Sequence, residues 1–230
     1  MKNKFGEVDV WEKEYVRFEG WNTLRQRRIQ KKEARLIARW LIAQQLPHYD
    51  ILEIGCGNGY VGICVIKILK EHAMSFSYHF TDLLPRCIER TRKQVCNAGM
   101  SENGLRFSVL DVYQAEQVLG AESQQIIIST GFASAATHKD AIPVVARILQ
   151  KDGLLIADFV NNMSLSIFLT SVLRSIKRYK EYRRGIGKSY HFGILGVRDF
   201  FARYGLHLIE HRALRVRRNP IVCMFKKTII

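Results

Sequence analysis

The 230-residue sequence is short of acid: 21 Asp and Glu stand against 36 Lys and Arg, a formal net charge of +15. A field of that sign attracts an anionic partner without naming one, and the plainer alternative is a solvated basic surface. There is no C-x-x-C pair. The five cysteines (Cys56, Cys64, Cys87, Cys96, Cys223) are odd in number and widely spaced, so reduced thiols are expected rather than a disulfide framework. His207 and His211 stand four apart on one expected strand with no further ligand cluster, so no metal is expected. Long apolar runs are also missing. The longest candidate, Leu165 to Leu173, is about half the ~20 residues of a spanning helix, so no transmembrane segment is expected. Met1 to Glu7 lacks the apolar core of a leader, so a cytoplasmic protein is expected. No internal repeat or low-complexity tract is visible. The length suits one α/β domain with a substantial core and leaves no room for a second catalytic domain.

What is present is concentrated between Ile51 and Gly62. Ile51-Leu52-Glu53-Ile54 reads as a buried strand, Gly55, Cys56, Gly57, Asn58 and Gly59 as a tight turn, and Val61 to Leu69 as a packed helix. Three glycines remove three β-carbons, so the backbone turns sharply and a ligand can lie against it. Two cofactors compete for such a loop. Gly57 to Gly62 satisfies G-x-G-x-x-G, and Asp82 follows at about the distance of a ribose-binding acid in a dinucleotide site. Against that, Glu53 sits in the strand before the loop, where a carboxylate repels a pyrophosphate and attracts a cation.

The pattern Glu53-x-Gly55-x-Gly57-x-Gly59 resembles motif I of the class I S-adenosylmethionine-dependent methyltransferases. Later strands extend the resemblance from residue 50 onward. Ser75 to Asp82 is an alternating second strand with an acid at its carboxyl end, where ligands bind in a doubly wound sheet. There Asp82 suits both ribose hydroxyls, because a carboxylate is acceptor-only; the alternative reading is a helix cap before Pro85. Leu105 to Val112 is a third strand ending in Asp111, which the resemblance implies holds the adenine amino group while Val112 offers a backbone N–H. A helix cap is again the alternative. Gln125 to Thr130 is an apolar, β-branched fourth strand. By resemblance the cofactor set is Glu53, Gly55, Cys56, Gly57, Gly59, Asp82, Leu83, Asp111, Val112 and Thr130. Arg25, with Tyr15 and Trp21, belongs to an N-terminal segment that folds over the cofactor in many members.

The acceptor side is less determined. Ser129-Thr130-Gly131-Phe132-Ala133 departs from the Asn/Asp-Pro-Pro-aromatic motif of enzymes acting on exocyclic amines of nucleobases. His138 follows it as a candidate base, or as an exposed loop histidine. A fifth strand, Leu154 to Val160, leads to Asn161 and Asn162, which are substrate-facing residues or a turn. Ser164 to Arg184 is a basic amphipathic helix that reads as a lid, or as a surface for anionic lipid, RNA or a carrier protein. Gly185-Ile186-Gly187 reads as its hinge. In small-molecule members of the resembled family the stretch carrying Tyr190 and His191 borders the substrate pocket. The resemblance implies that either orients or deprotonates a nucleophile, a task that suits histidine because its unperturbed pKa of ~6.5 lies near working pH.

The expected fold is α/β: a doubly wound, seven-stranded, mostly parallel sheet with an antiparallel C-terminal strand, helices on both faces and an N-terminal helical extension. Residues 1–49 form the cap, and residues 50–230 form the Rossmann-like domain with a lid at about 164–187. The expected activity is methyl transfer from S-adenosylmethionine to an O, N or C nucleophile of an anionic small-molecule, carrier-linked or lipid-linked substrate. The alternatives are an RNA methyltransferase and a cofactor-binding protein without catalysis. RNA and an anionic membrane surface stand as alternative partners.

Overall fold

The computed structural model describes residues 24–130, 141–160, 194–214 and 220–228. Helix α1 (Leu24–Ala43) precedes the first strand. The described chain then runs β1 (Tyr49–Ile54), α2 (Tyr60–Glu71), β2 (Phe76–Asp82), α3 (Pro85–Asn97) and β3 (Leu105–Val109). A 3₁₀ turn (Val112–Gln114), α4 (Ala115–Leu119), β4 (Gln124–Ser129), α5 (Ile142–Ile148), β5 (Leu149–Val160), α6 (Ile194–Ala202), β6 (Leu206–Ala213) and β7 (Pro220–Lys227) follow. The strands form one sheet in the order β3-β2-β1-β4-β5-β7-β6. The neighbouring pairs from β3 to β5 are parallel. Strand β7 pairs antiparallel with both β5 and β6, so it alone runs backwards, inserted between two strands of the common direction.

Successive strand residues point to opposite faces, and the core divides accordingly. Ile51, Phe80, Ile126, Ile128 and Ile156 face the α1–α2–α3 side, where they meet Ile37, Leu41, Val65 and Ile66. Leu52, Ile54, Ile127, Leu155 and Ala157 face the other side, with Ala146, Ile148, Phe201 and Phe225. The rings of Phe201 and Phe225 stack there at 4.3 Å between centroids. The expected layers and strand count therefore hold.

Local boundaries differ from expectation in three places. The apolar stripe of Ala34, Ile37, Ala38, Leu41 and Ile42 predicts a helix from about Ile29 to Gln45; the helix begins at Leu24 and ends at Ala43. The third strand stops at Val109 rather than Val112, because Asp111 caps the 3₁₀ turn: its side chain accepts from the Tyr113 N–H at 3.0 Å. The fifth strand begins at Leu149, directly after α5, rather than at Leu154: Lys151-Asp152-Gly153, which reads as a helix stop in the sequence, lies within the strand. A register irregularity between Gln124 and Ile126 accommodates the extra residues. Asp152 takes φ 60° beside it. A β-carbon on Gly153 would meet the Gln125 and Gln150 carbonyl oxygens at 2.9 Å each, so the bulge is built around a missing side chain. Leu206 to Arg212 and Pro220 to Lys226 read in the sequence as two strands that pair antiparallel at the end of the sheet. The pair is antiparallel, and its last strand is internal.

Candidate functional site: the glycine loop at the carboxyl edge of the sheet

The carboxyl ends of β1, β2 and β4 and the turn after β3 bring together most of the residues singled out in the sequence. Between β1 and α2, Gly55, Gly57 and Gly59 adopt φ of 73°, 58° and 71°. This is the left-handed region, costly for any residue with a β-carbon, so the alternation of glycine is a backbone requirement. The loop is bolted to β2. The amides of Gly55 and Cys56 both donate to the Thr81 carbonyl at 2.9 Å. The Thr81 hydroxyl in turn donates to the Glu53 carbonyl at 2.7 Å. Asn58 accepts from the Tyr60 amide at 3.1 Å, helping the chain enter α2.

The three glycines and the one beyond them do different jobs. A β-carbon on Gly57 would meet nothing within 4 Å, so the loop is open on that side and a ligand can approach its backbone. One on Gly59 would collide with the Thr91 side chain, whose hydroxyl oxygen would lie 2.9 Å away. One on Gly62 would fall 2.8 Å from the Tyr78 hydroxyl and closer still to Glu53 Oε2 and the Phe80 ring. The last glycine of the G-x-G-x-x-G match is thus explained by helix–strand packing over a buried carboxyl.

Asp82 occupies the end of β2 with both oxygens engaged. Oδ2 accepts from the Gly57 amide at 2.8 Å. Oδ1 accepts from the Leu84 amide at 3.0 Å, an Asx-type turn rather than the alternative helix cap, since Leu84 holds the N-cap position with no side-chain bond to the helix. The Cys87 thiol and the Leu83 amide also donate to this carboxylate. Burial raises the Asp82 carboxyl above its usual value, and the Leu84 and Gly57 amides pull it back. Leu83 is half-buried beside it, Asp111 is half-buried beyond β3, Val112 is buried, and Thr130 is half-buried after β4.

Glu53 is buried within β1, as its place in the expected strand implies. It is 1% exposed, its Oε2 accepts from the Tyr78 hydroxyl at 3.0 Å, and burial pushes its carboxyl up to about 8 despite that bond. A carboxyl held there is largely neutral at pH 7 unless a cation is near, so the repulsion expected between Glu53 and a pyrophosphate is weaker than the sequence implied.

Several contributors were missed. Thr91, in the middle of α3, donates to the Gly57 carbonyl at 3.3 Å and contacts Cys56 Sγ at 3.6 Å. Ser129 is buried at the end of β4, its Oγ without a hydrogen-bond partner among the described residues. Glu33, on the buried stripe of α1, is 5% exposed. A buried polar side chain in an otherwise apolar period was the available signal for each.

Arg25 lies on the first turn of α1. Tyr15, Trp21, His138, Asn161, Asn162, the lid at 164–187, Tyr190 and His191 fall outside the described residues. No group of three or more His, Cys, Asp or Glu side chains suited to a metal occurs among the described residues. The five cysteines are free. Among the described residues no helix is long and apolar enough to cross a membrane.

No family model matches the chain. Over 121 residues it is 32% identical to a highly reducing polyketide synthase of Penicillium soppii, a match covering 50% of this chain and 5% of that protein. Over 139 residues it is 25% identical to a malonyl-[acyl-carrier protein] O-methyltransferase of Acetivibrio thermocellus, covering 60% of this chain and 45% of that protein. The chain thus spans less than half the length of either curated relative. Among solved structures, it superposes on magnesium protoporphyrin IX methyltransferase of Synechocystis PCC 6803 with bound S-adenosylhomocysteine. The TM-score is 0.66 at 14% identity, covering 86% of this chain and 83% of that one. It superposes on the CMeT domain of the citrinin polyketide synthase with a TM-score of 0.62 at 16% identity, covering 86% and 52%.

Proposed function

From the class I S-adenosylmethionine-dependent methyltransferase fold that the chain has, we propose that it is a methyltransferase using S-adenosylmethionine, with a small-molecule or carrier-linked acyl acceptor. The observation that carries this is the pinning of the glycine loop to Asp82 through the Gly57 amide, at the edge where the backbone lies open to a ligand. The site suits the cofactor chemically. Asp82 is an acceptor that ribose hydroxyls would share with its protein donors, the loop offers bare backbone, and Glu53 supplies a carboxyl below a cationic ligand. Asp111 keeps Oδ2 for an adenine amino group while Oδ1 holds the turn. When bound, S-adenosylmethionine supplies an activated methyl group on a sulfonium.

The protein's work is then to align an acceptor with that methyl, since proximity and orientation supply about 7–11 kcal/mol of the barrier in favourable cases. An acceptor acidic enough to ionise needs no general base. Where a base is used, His191, Tyr190 and His138 are the candidates from the sequence. The names of the relatives support an acyl or polyketide acceptor methylated on carbon or oxygen.

Incubation with methyl-labelled S-adenosylmethionine and separated small-molecule, acyl-carrier, lipid and RNA fractions tests the proposal. Label is expected in the small-molecule or carrier fraction. Label confined to RNA, with affinity falling steeply as salt rises, would transfer the assignment to the RNA alternative that the +15 charge favours. Cofactor binding without transfer to any fraction would point to a non-catalytic protein.

A further inference from the structure

The sequence's shortage of acid is concentrated on one helix. In α1 the only acid is Glu33, which is buried, while Arg28, Lys31, Lys32, Arg35 and Arg39 are exposed. At 3.6 residues per turn these five fall within an arc of about 100° and a length of about 16 Å, so they form one row of positive charge. Helix α2 packs beside α1 and adds exposed Lys67 and Lys70. Among the described residues none of these seven cations has an ion pair, whereas Arg92, Arg147, Lys226 and Lys227 each meet an acid.

The row is placed by the way the chain enters the sheet. The turn from Gln44 to His48 leads straight into β1, so α1 runs antiparallel to that strand. Helix α2 leaves the glycine loop and also runs back along the sheet. The two helices therefore lie side by side in one direction, starting at the carboxyl edge. The Arg27 charge reaches Tyr60, the residue after Gly59, and the charges of Lys31, Lys67 and Arg35 reach Cys64 one turn further on. The cations thus begin beside the glycine loop and lead away from it.

Lipid, nucleic acid and an acidic protein all fit a positive face by sign, and the details separate them. A helix that lies on lipid turns its apolar stripe to the bilayer. The stripe of α1, Ile37 and Leu41 among it, is buried in the core, with Leu24 at its first residue the exception. A single-stranded nucleic acid stacks bases on exposed rings, and Trp40, the aromatic residue of α1, is 3% exposed. A protein helix bearing carboxylates is matched by cations that repeat every three or four residues along one helix, and that is the spacing here.

We propose that the exposed face of α1, extended by Lys67 and Lys70 of α2, is the docking surface for an acidic carrier protein that delivers the acceptor. This rests on the carrier-linked acceptor proposed above and adds where the carrier sits. The face governs encounter and affinity rather than the transfer step, because charges at the rim of a contact act there.

The test uses the full chain and a purified acyl carrier protein of net negative charge, labelled with a fluorophore and read by anisotropy. Wild type is compared with Lys32→Glu/Arg35→Glu/Arg39→Glu and with the same three positions changed to Gln. All three side chains are exposed, so S-adenosylmethionine affinity in calorimetry should match wild type. Carrier affinity is expected to fall about tenfold or more with Glu and less with Gln, the scale on which several rim charge pairs act together. In wild type it should weaken as salt rises. With an acylated carrier as acceptor, KM should rise in the Glu variant while kcat stays, and a free acyl thioester should show no change. Equal carrier affinity in all three proteins overturns the docking surface, as does the absence of carrier binding by wild type. Tighter binding of an RNA oligonucleotide or of phosphatidylglycerol vesicles than of the carrier, lost in the Glu variant, overturns it in favour of that partner. Carrier binding that the Glu variant loses, with no methyl transferred to any acceptor, keeps the surface and refutes the methyltransferase reading. Should the Glu variant fail to fold, the Gln variant carries the same comparison.

Discussion

The Gly57 amide donates to Oδ2 of Asp82 across 2.8 Å, joining the ends of two neighbouring strands through residues 25 positions apart in the chain. The contact fixes both the loop that a cofactor must cross and the carboxylate that must meet it.

Asp82→Asn tests that joint. An amide nitrogen facing the Gly57 N–H sets donor against donor, and the reversed orientation sets the same conflict at Leu84. The expected loss is about 1.5–3 kcal/mol for the charge-assisted bond, read as a roughly tenfold or greater weakening of S-adenosylmethionine binding in calorimetry. Wild-type affinity in this variant would remove Asp82 from the site.

Gly57→Ala and Gly62→Ala should separate function from stability. At Gly57 the added methyl has open space and only the left-handed backbone to contend with, a cost of about 1–2 kcal/mol, while a ligand loses its approach. At Gly62 it strikes Glu53, Tyr78 and Phe80, and overpacking of that kind costs about 1–3 kcal/mol. Urea midpoints should fall more for Gly62→Ala, and cofactor affinity should fall more for Gly57→Ala among the molecules still folded. The reverse ranking would contradict the assignment of roles.

Ligand-free stability should decline as the medium becomes more alkaline. Glu53 rises from 4.5 to about 8 on folding, so between those values the folded protein binds more protons than the unfolded chain. Stability then decreases with pH by up to about 1.4 kcal/mol per unit for each such group. Glu33, raised by burial and its acidic neighbours, acts in the same direction. Denaturant titrations between pH 6.5 and 8 should show the decline, and Glu53→Gln should flatten it. A wild-type curve that is level or rising there would exclude a raised Glu53.

His79 governs an acid limb. It is buried beside Ser108 Oγ, 2.7 Å from its Nε2, and burial with the Arg106 charge lowers it from 6.5 to about 4. Between those values the unfolded chain binds the extra proton, so this group's contribution is lost as pH falls from 6.5 toward 4. His79→Gln should show a shallower acid loss than wild type when the two are melted in parallel. Identical slopes would mean that His79 is protonated in the folded protein.

The sheet was legible because its central strands are short apolar runs bounded by glycine or acid: Ile51 to Ile54 before the loop, and Gln125 to Ser129 in β4. The Gly55-Gly57-Gly59 alternation was legible for the same reason, since backbone sign is written in residue type. What escaped was long-range. Thr91 reaches Gly57 from 34 residues away, and Glu33 lies near Asp158 only because α1 packs over strands far along the chain. No local period carries that information. The start of β5 escaped because Asp152-Gly153 looks like a helix stop and is a bulge within pairing distance of β4. The motif position of Glu53 was plain in the sequence, whereas its bond to Tyr78 and the packing of Gly62 over it were not.

Strand β7 lies between β5 and β6, and this fixes an order of assembly during synthesis. Until residues 220–227 have been made, β6 has no neighbour to pair with and that edge of β5 is uncovered. That half of the sheet closes only after β7 leaves the exit tunnel and slides into the gap, so the nascent chain carries two unpaired strand edges until then.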